Sequence, residues 1–290
     1  MKKCLIVINE LSGQSKNIDE QKLLNLYSMD YEVTLERIKT SEDDWSPDGY
    51  DVVVVCGGDG TFNRTINKIK DPSIDIIYYS FGTFNECAKT KGKVNENLIK
   101  LDEFAMANKR LIGYVAATGS FTPLGYIVPP DQKKKFGIFA YIKKVIGQYK
   151  VYNIPATIKF NDFEISNNYT LIMVIDSKRC FGFKFNKLYK PNDGQVHVLL
   201  IRSPGKNSFI NKVKIFFPLF KAFFIGLRKE INKKNIVFKA AKSLHIKLTE
   251  ETPFDVDGDM HMFDDLNIKV VHPQNNIYIG NFDKVKKSLL

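Results

Sequence analysis

The stretch DVVVVCGGDGTFN, residues 51–63, decides the fold of this chain. It opens on a β-branched run with apolar side chains at successive positions, which is typical of a parallel strand covered on both faces. Two glycines end that strand, and Phe62, Ile66 and Ile69 then recur at helical spacing through 61–70. A strand that passes through glycines directly into a helix is the repeating unit of a doubly wound α/β domain.

Two further apolar runs, residues 3–9 and 73–80, extend this α/β domain on either side of the central stretch. From about residue 113 the hydrophobicity pattern changes to shorter runs in which apolar and polar residues alternate, and turn signals separate these runs. This pattern predicts an antiparallel β-sandwich domain with two helical stretches, 136–149 and 209–228. Its predicted strands are 156–160, 169–175, 196–201, 243–248 and 267–271.

Composition narrows the class of protein before any motif is considered. The 290 residues suffice for two domains, and no run of 18 apolar residues predicts a bilayer span. The apolar run at the start is about six residues long with no small-residue cleavage site after it, so a buried first strand is favoured over a signal peptide. Four widely spaced cysteines without a CxxC pattern indicate buried, reduced thiols in a cytoplasmic protein. The net charge of +11 favours an anionic partner without choosing one.

The glycine turn GGDGTFN, residues 57–63, carries the strongest chemical signal. Glycines let backbone N–H groups approach an anion, and the N-terminus of the following helix adds donors and partial positive charge. Thr61 could cap that helix and donate to a phosphate. Asp59 would repel a phosphate unless Mg²⁺ lay between them. The alternative is a tight strand-to-helix turn with an aspartate cap.

Two other short stretches carry weaker chemical signals. The sequence SFGTFNE, residues 80–86, is a second glycine turn at a neighbouring strand end, and the two turns would face one crevice. Taken alone it could be only a turn. The acidic stretch DVDGD, residues 255–259, could be a solvated turn or part of a calcium loop, although an EF-hand is excluded because Leu266 stands at the twelfth position.

Together these motifs resemble the diacylglycerol kinase catalytic-domain family, which includes bacterial lipid kinases and sphingosine kinases. The stretch NELSG at 9–13 resembles Asn-Pro-x-Ser-Gly, and 57–63 matches Gly-Gly-Asp-Gly-Thr-x-Asn. The stretch GTFNE at 82–86 resembles Gly-Thr-x-Asn-Asp, and DGD at 257–259 resembles Asp-Gly-Glu. The family fold is an NAD-kinase-like α/β nucleotide domain followed by a β-sandwich. We place these domains at 1–112, joined by the C-terminal segment 281–290, and at 113–280.

The resemblance implies a set of site residues. Asp59 would organise Mg²⁺, Asp259 would accept the substrate proton with Asp257 adjacent, and Asp193 would hold a structural cation with the carbonyls of Lys190 and Gln195. The residues implied in ATP binding are Asn9, Thr40, Gly57, Gly58, Asp59, Gly60, Thr61, Asn63 and Thr83.

Three positions depart from the family pattern. Arg64 replaces a glutamate, Phe81 replaces a small or aliphatic residue, and Asp259 is one methylene shorter than the family glutamate. Glycine loops, Mg²⁺ and one carboxylate meet the needs of phosphoryl transfer. We therefore expect an ATP- and Mg²⁺-dependent kinase acting on the hydroxyl of a diacylglycerol-like lipid. The alternatives are an NAD kinase and a non-catalytic protein that binds nucleotide or lipid.

Aromatic and basic stretches bear on the partners. Phe209, Val213, Phe216, Phe220, Phe224 and Leu227 share one helical stripe, with lysines interspersed, and Pro218 is expected to kink the helix or start a second one. The stripe could contact an anionic membrane surface or cover the sandwich core. Lysines at 133–135 and 143–144 form a charge run. Nucleic acid is not expected, the four histidines share no metal-ligand spacing, and a homodimer is left open.

Overall fold

The computed structural model describes residues 1–91, 97–122 and 149–284, and the chain divides into two units. Of the described residues, the first unit contains those within 1–102 and 272–284, and the second contains those within 103–271. The predicted boundaries at 112 and 280 are shifted to 102 and 271. The reason is strand pairing, since Phe104–Ala107 joins the second sheet and Ile277–Gly280 joins the first.

The described residues form sixteen strands and four α-helices. The strands are β1 Lys2–Asn9, β2 Tyr31–Ile38, β3 Val52–Gly57, β4 Asp75–Ser80, β5 Leu98–Leu101, β6 Phe104–Ala107, β7 Arg110–Ile112, β8 Val115–Gly119, β9 Ile154–Lys159, β10 Glu164–Ile175, β11 Val196–Arg202, β12 Ile231–Lys233, β13 Ile236–Ala241, β14 Ser243–Val256, β15 Asp259–Val271 and β16 Ile277–Gly280. The helices are α1 Glu20–Tyr27, α2 Asp59–Lys68, α3 Glu86–Lys91 and α4 Phe209–Phe220. A 3₁₀ turn spans Ser15–Asn17, and a π-helical turn spans Lys221–Ile225.

The first unit is built on a six-stranded sheet of order β2-β1-β3-β4-β16-β5. Its strands run parallel except β5, which is antiparallel to β16. Every residue of β3 is buried, as expected for a central strand covered on both faces. The predicted α/β class is therefore confirmed, and the three predicted strands correspond to β1, β3 and β4.

Helix α2 begins two residues earlier than its apolar spacing suggested. The sequence predicted a start at Thr61, whereas the helix starts at Asp59 because extended Gly58 is the N-cap. Phe62 and Ile66 are buried beneath it, and the Phe62 ring stacks on Tyr78 with centroids 4.5 Å apart. The helix is therefore anchored to β4 by the residues that predicted it.

The second unit is antiparallel throughout its ten-stranded network, which confirms the predicted β-domain. The two long strands β10 and β14 each pair with β8 through one part and with β9 through another. Strands β10, β14 and β15 are longer than predicted. The alternation is broken in these extensions: exposed Asn167 and Asn168 follow one another in β10, Asp255 is buried in β14, and Met260 and Met262 are exposed in β15.

Helix α4 extends past Pro218, where the sequence allowed a second helix to start. Ser208 caps it by accepting a hydrogen bond from the Asn211 amide, and the helix runs through Pro218 to Phe220 before the π-helical turn. No second α-helix starts at Pro218, and the helix type changes only after Phe220. The predicted helix 136–149 and the lysines at 133–135 and 143–144 lie outside the described residues, apart from residue 149.

All four cysteines are buried and free, as predicted. Burial raises the pKa of the Cys4 thiol to about 12 and also raises the pKa of Cys56, so these thiols stay protonated and unreactive. Within 1–91, 97–122 and 149–284, no helix is both long enough and apolar enough to cross a membrane.

Candidate active site

Three turns meet at the carboxyl ends of β1, β3 and β4, and we call residues 9–15, 57–61 and 80–86 the glycine-turn cluster. The Gln14 amide donates to the Phe81 carbonyl at 2.8 Å, and the Phe81 amide donates to the Gly57 carbonyl at 2.6 Å. The Asn9 Nδ2 donates to Thr61 Oγ1 at 2.8 Å. Hydrogen bonds therefore join all three turns, at the edge where open parallel sheets bind ligands.

Glycines let the turns approach more closely than any other residue would allow. A Cβ on Gly82 would lie 2.6 Å from the Gly58 Cα, and a Cβ on Gly58 would lie 3.3 Å from the Gly82 Cα. A Cβ on Gly13 would overlap the Thr83 hydroxyl. The two glycine turns that the sequence expected to face one crevice are thus in backbone contact.

Asp59 has a partner that neither interpretation of the sequence named. Its Oδ2 accepts a hydrogen bond from the Glu86 amide at 2.8 Å, and its Oδ1 accepts one from the Cys87 amide at 3.1 Å. These amides open α3, so Asp59 caps that helix and not α2, the helix on which it lies. The residue is half-buried, and its carboxylate locks the second turn to the third.

The other predicted nucleotide-binding residues divide between the cluster and its surroundings. Thr61 lies in the first turn of α2, bonded to Asn9, and does not cap the helix as the sequence suggested. Asn63 is buried in α2, where its Oδ1 accepts from Asn67 at 3.3 Å. Thr40 follows β2 at the same edge of the sheet, and its hydroxyl donates to Asp43 at 2.7 Å. Arg64, one of the departures from the family pattern, is exposed on α2.

Sequence reasoning missed two residues that hold the cluster together. The Phe81 backbone bonds both other turns, although the sequence marked this position only as a departure. Tyr78 stacks on Phe62, and its hydroxyl donates to the Gly57 carbonyl at 3.4 Å. Burial, followed by the nearby Asp59 carboxylate, raises the pKa of Tyr78, so the hydroxyl remains a donor. The apolar residues of β4 follow one another without alternation, so the sequence did not indicate that Tyr78 would contact Phe62 and Gly57.

In the second unit, Asp257 and Gly258 form the turn between β14 and β15. Their φ angles are +54° and +100°, and a type I′ hairpin turn requires positive φ at both positions. The Asp257 carboxylate accepts from the amides of Gly113, Tyr114 and Val115 at 2.5, 2.9 and 2.9 Å. Asp257 is only 2% exposed, and its three hydrogen bonds tie the hairpin to the start of β8.

Its two acidic neighbours occupy different environments. Asp255 is fully buried and accepts from the Gly258 amide at 2.7 Å. Asp259 begins β15 opposite Val256 and is half-buried. The interpretation of this stretch as a solvated acidic turn is therefore wrong for Asp255 and Asp257, whereas the Asp259 side chain is the more accessible one.

The turn at 190–195 contains the predicted cation site. Asp193 Oδ1 accepts from the Gln195 amide at 3.2 Å, and Glu103, which the sequence did not single out, accepts from the Gly194 amide at 2.9 Å. Among the described residues, no group of three or more His, Cys, Asp or Glu side chains could hold a metal ion. A cation here would therefore need backbone carbonyls such as those expected of Lys190 and Gln195.

Comparisons with known proteins agree with this architecture. Residues 3–113 match the model of the diacylglycerol kinase catalytic domain. A Streptococcus pneumoniae protein named "Putative lipid kinase" is 26% identical over 96% of this chain and 98% of its own length. The crystal structure of a diacylglycerol kinase from Bacillus anthracis superposes with a TM-score of 0.64 at 19% identity, covering 97% of each chain. An NAD kinase from Archaeoglobus fulgidus in complex with ATP superposes with a TM-score of 0.50 at 14% identity, over 97% of this chain and 95% of that one.

The site and these likenesses first define a class, the phosphotransferases that take an alcohol group as acceptor. Within that class, residues 3–113 resemble the diacylglycerol kinase catalytic domain, and the chain as a whole is similar to a protein named a lipid kinase, which confirms the resemblance seen in the motifs. The two structural likenesses concern the fold alone, since both fall below 25% identity.

Proposed function

We propose that this chain transfers the γ-phosphoryl group of ATP to the hydroxyl of a diacylglycerol-like lipid, with Mg²⁺ as cofactor. The observation that supports the proposal most is the glycine-turn cluster, in which three turns with Asp59 among them share one edge of a parallel sheet. Phosphoryl transfer depends mainly on positioning and on neutralising charge, and backbone amides at such an edge can supply both.

ATP phosphates would lie against the turn Gly57–Gly58 and the N-terminus of α2. The N-cap residue of this helix, Gly58, has no side chain that could cap it, and the N–H groups of a helix N-terminus favour negative charge. Asn9, Thr61 and Thr83 border the same turns and can donate hydrogen bonds to phosphate oxygens. Thr40, at the end of β2, is assigned to the outer part of the nucleotide site.

Asp59 fits the role of a Mg²⁺ ligand or of a ligand to its bound water. It supplies the hard oxygen that Mg²⁺ prefers, on a half-buried side chain whose position the amides of Glu86 and Cys87 define. Mg²⁺ bound there would neutralise the negative charge of the phosphates. The α3 cap and the metal role are compatible, because holding the carboxylate rigidly also pre-organises it.

Asp259 is assigned as the acceptor of the substrate hydroxyl proton. It is the half-buried member of the acidic stretch, while Asp257 is committed to three backbone amides. A base must remain accessible to its substrate, so we give Asp257 a positioning role for the hairpin that bears Asp259. We also assign a structural cation to the turn of Asp193, completed by the carbonyls of Lys190 and Gln195.

The test is transfer of labelled γ-phosphate from ATP to acceptors in mixed vesicles containing diacylglycerol, monoacylglycerol or a sphingoid base, with NAD⁺ offered separately. We expect label in a lipid alcohol, dependence on Mg²⁺, and wild-type transfer by a control Asp162→Asn on the exposed β9–β10 hairpin. Label in the dinucleotide would favour an NAD kinase. ATP binding without transfer to any acceptor would favour the non-catalytic alternative.

A further inference from the structure

Helix α4 and the π-helical turn after it carry an exposed aromatic surface. We call Phe209, Val213, Phe216, Phe217, Phe220 and Phe224 the aromatic face. Phe209, Phe217 and Phe224 are 81%, 67% and 66% exposed. The sequence left open whether this stripe covers the core or meets a membrane, and its exposure contradicts the core alternative. Leu227, which the sequence placed on the same stripe, is buried.

The core-facing side of α4 is a different stripe. Ile215, Leu219 and Ala222 are 1%, 4% and 0% exposed and belong to the buried cluster of the second unit. The Tyr149 hydroxyl also donates to the Lys212 carbonyl at 2.5 Å. The helix is therefore held firmly on the unit by one side while it presents phenyl rings on the other.

The rings of the aromatic face pack on one another in a row. Phe216 stacks on Phe220 with centroids 5.6 Å apart, and Phe220 stacks on Phe224 at 5.1 Å. A contiguous apolar surface of this kind on a folded protein marks an interaction site.

The formal charges along this part of the chain are of one sign. Residues 194–229 contain no aspartate or glutamate, and three of their lysines lie on or next to α4: Lys212, Lys214 and Lys221. On a helix of about 3.6 residues per turn, Lys214 and Lys221 flank the aromatic face on one side and Lys212 flanks it on the other. Phenyl rings bordered by lysines are suited to insertion among lipid chains with the ammonium groups at anionic headgroups.

We infer that the aromatic face is the surface on which this chain docks to a membrane that contains anionic lipid. Charge decides the occupant, because a second copy of the chain would bring the same lysines against one another, whereas an anionic bilayer neutralises them. The inference concerns docking and does not depend on the proposed reaction, although a lipid kinase must reach a membrane to meet its substrate.

The experiment is co-sedimentation of the full chain with vesicles of phosphatidylcholine alone and of phosphatidylcholine with phosphatidylglycerol. The test variant is Phe209→Ser/Phe217→Ser/Phe224→Ser, and Met29→Ser, an exposed residue of the first unit, is the control. We expect the wild type and the control to bind anionic vesicles. The triple variant should bind at least about tenfold more weakly, since it loses the three most exposed apolar side chains of the aromatic face. Lys214→Gln/Lys221→Gln should weaken binding mainly at low salt.

Folding is checked by melting temperature, which the triple variant should keep because its rings are exposed. Equal vesicle binding by the triple variant and the wild type would overturn the inference. So would a wild-type dimer in light scattering that the triple variant breaks while neither binds vesicles. Activity on a short-chain, water-dispersed diacylglycerol separates the two proposals. If docking is right and the proposed function wrong, vesicle binding persists without any turnover.

Discussion

Two of the aspartates that stand next to glycine, Asp59 and Asp257, both accept hydrogen bonds from backbone amides of another segment, but they differ in the number of amides and in burial. Asp59, in the first unit, accepts two backbone amides of α3. Asp257, in the second unit, accepts three amides of 113–115. Asp59 is half-buried, whereas Asp257 is 2% exposed.

The difference shows that an acidic residue in a glycine turn is not by itself a sign of chemistry. Both carboxylates satisfy backbone donors of another segment, which the sequence pattern cannot reveal. The accessible one can also meet a ligand, while the buried one is restricted to holding the fold. Among the acidic residues of 255–259, the same criterion selects Asp259 for catalysis.

The largest effect is expected from Asp257→Ala. The change leaves three buried amides without their acceptor and puts alanine at a positive φ, where it is strained. We expect unfolding to become easier by about 3 kcal/mol or more. Thermal melting measures this loss, with exposed Asp264→Ala as the control. If Asp257→Ala does not fold, Asp257→Asn keeps one acceptor oxygen and should fold with a lower melting temperature. Wild-type melting of either variant would contradict the structural role.

Asp59→Asn should affect activity more than stability. The amide side chain can accept from only one of the two α3 amides, so we expect a loss of about 1–2 kcal/mol in the free energy of unfolding. Weakened Mg²⁺ positioning should lower kcat by roughly 100-fold or more. Turnover and melting are measured on the same preparation. A lower melting temperature with unchanged kcat would reduce Asp59 to a helix cap.

Two substitutions test how closely the two glycine turns must approach each other. Gly82→Ala would place a methyl group 2.6 Å from the Gly58 Cα, whereas Gly58→Ala would place one 3.3 Å from the Gly82 Cα. We expect the first to weaken ATP affinity roughly tenfold, because the turns must separate, and the second to weaken it less. Titration of ATP binding measures both. Equal affinities for the two variants would mean that this close approach does not shape the site.

The smallest effect is expected at Asp193. A cation that binds only the folded turn stabilises it by mass action, so Asp193→Ala should lower the melting temperature in Mg²⁺ by the equivalent of about 1 kcal/mol. Without divalent cation the difference should shrink to the small effect of losing the hydrogen bond between Asp193 and the Gln195 amide. Indistinguishable melting in both buffers would argue against the site.

The parts of the fold that depend on local sequence patterns were predictable. The β3 run with its two glycines located the central strand, the following helix and the meeting of 57–61 with 80–86. The extensions of β10, β14 and β15 were not, since consecutive polar residues, a buried aspartate and exposed methionines break the alternation there.

For the candidate site and for α4, the sequence could not predict the contacts between segments that lie far apart in the chain. The α3 cap by Asp59 and the fastening of 113–115 by Asp257 join segments far apart in the chain. In α4, Phe216 and Ile215 both lie on apolar helical stripes, and only packing on the sheet decides which stripe is buried.

We propose that this chain transfers phosphate from ATP to a lipid alcohol with Asp259 as proton acceptor. The most direct measurement is kcat for labelled transfer to diacylglycerol by the wild type and Asp259→Asn, with ATP affinity and melting temperature determined alongside. We expect Asp259→Asn to lose at least about tenfold in kcat while binding ATP and melting as the wild type does, because an amide keeps the shape but cannot take a proton. A variant that keeps more than about a tenth of wild-type kcat would contradict the assignment.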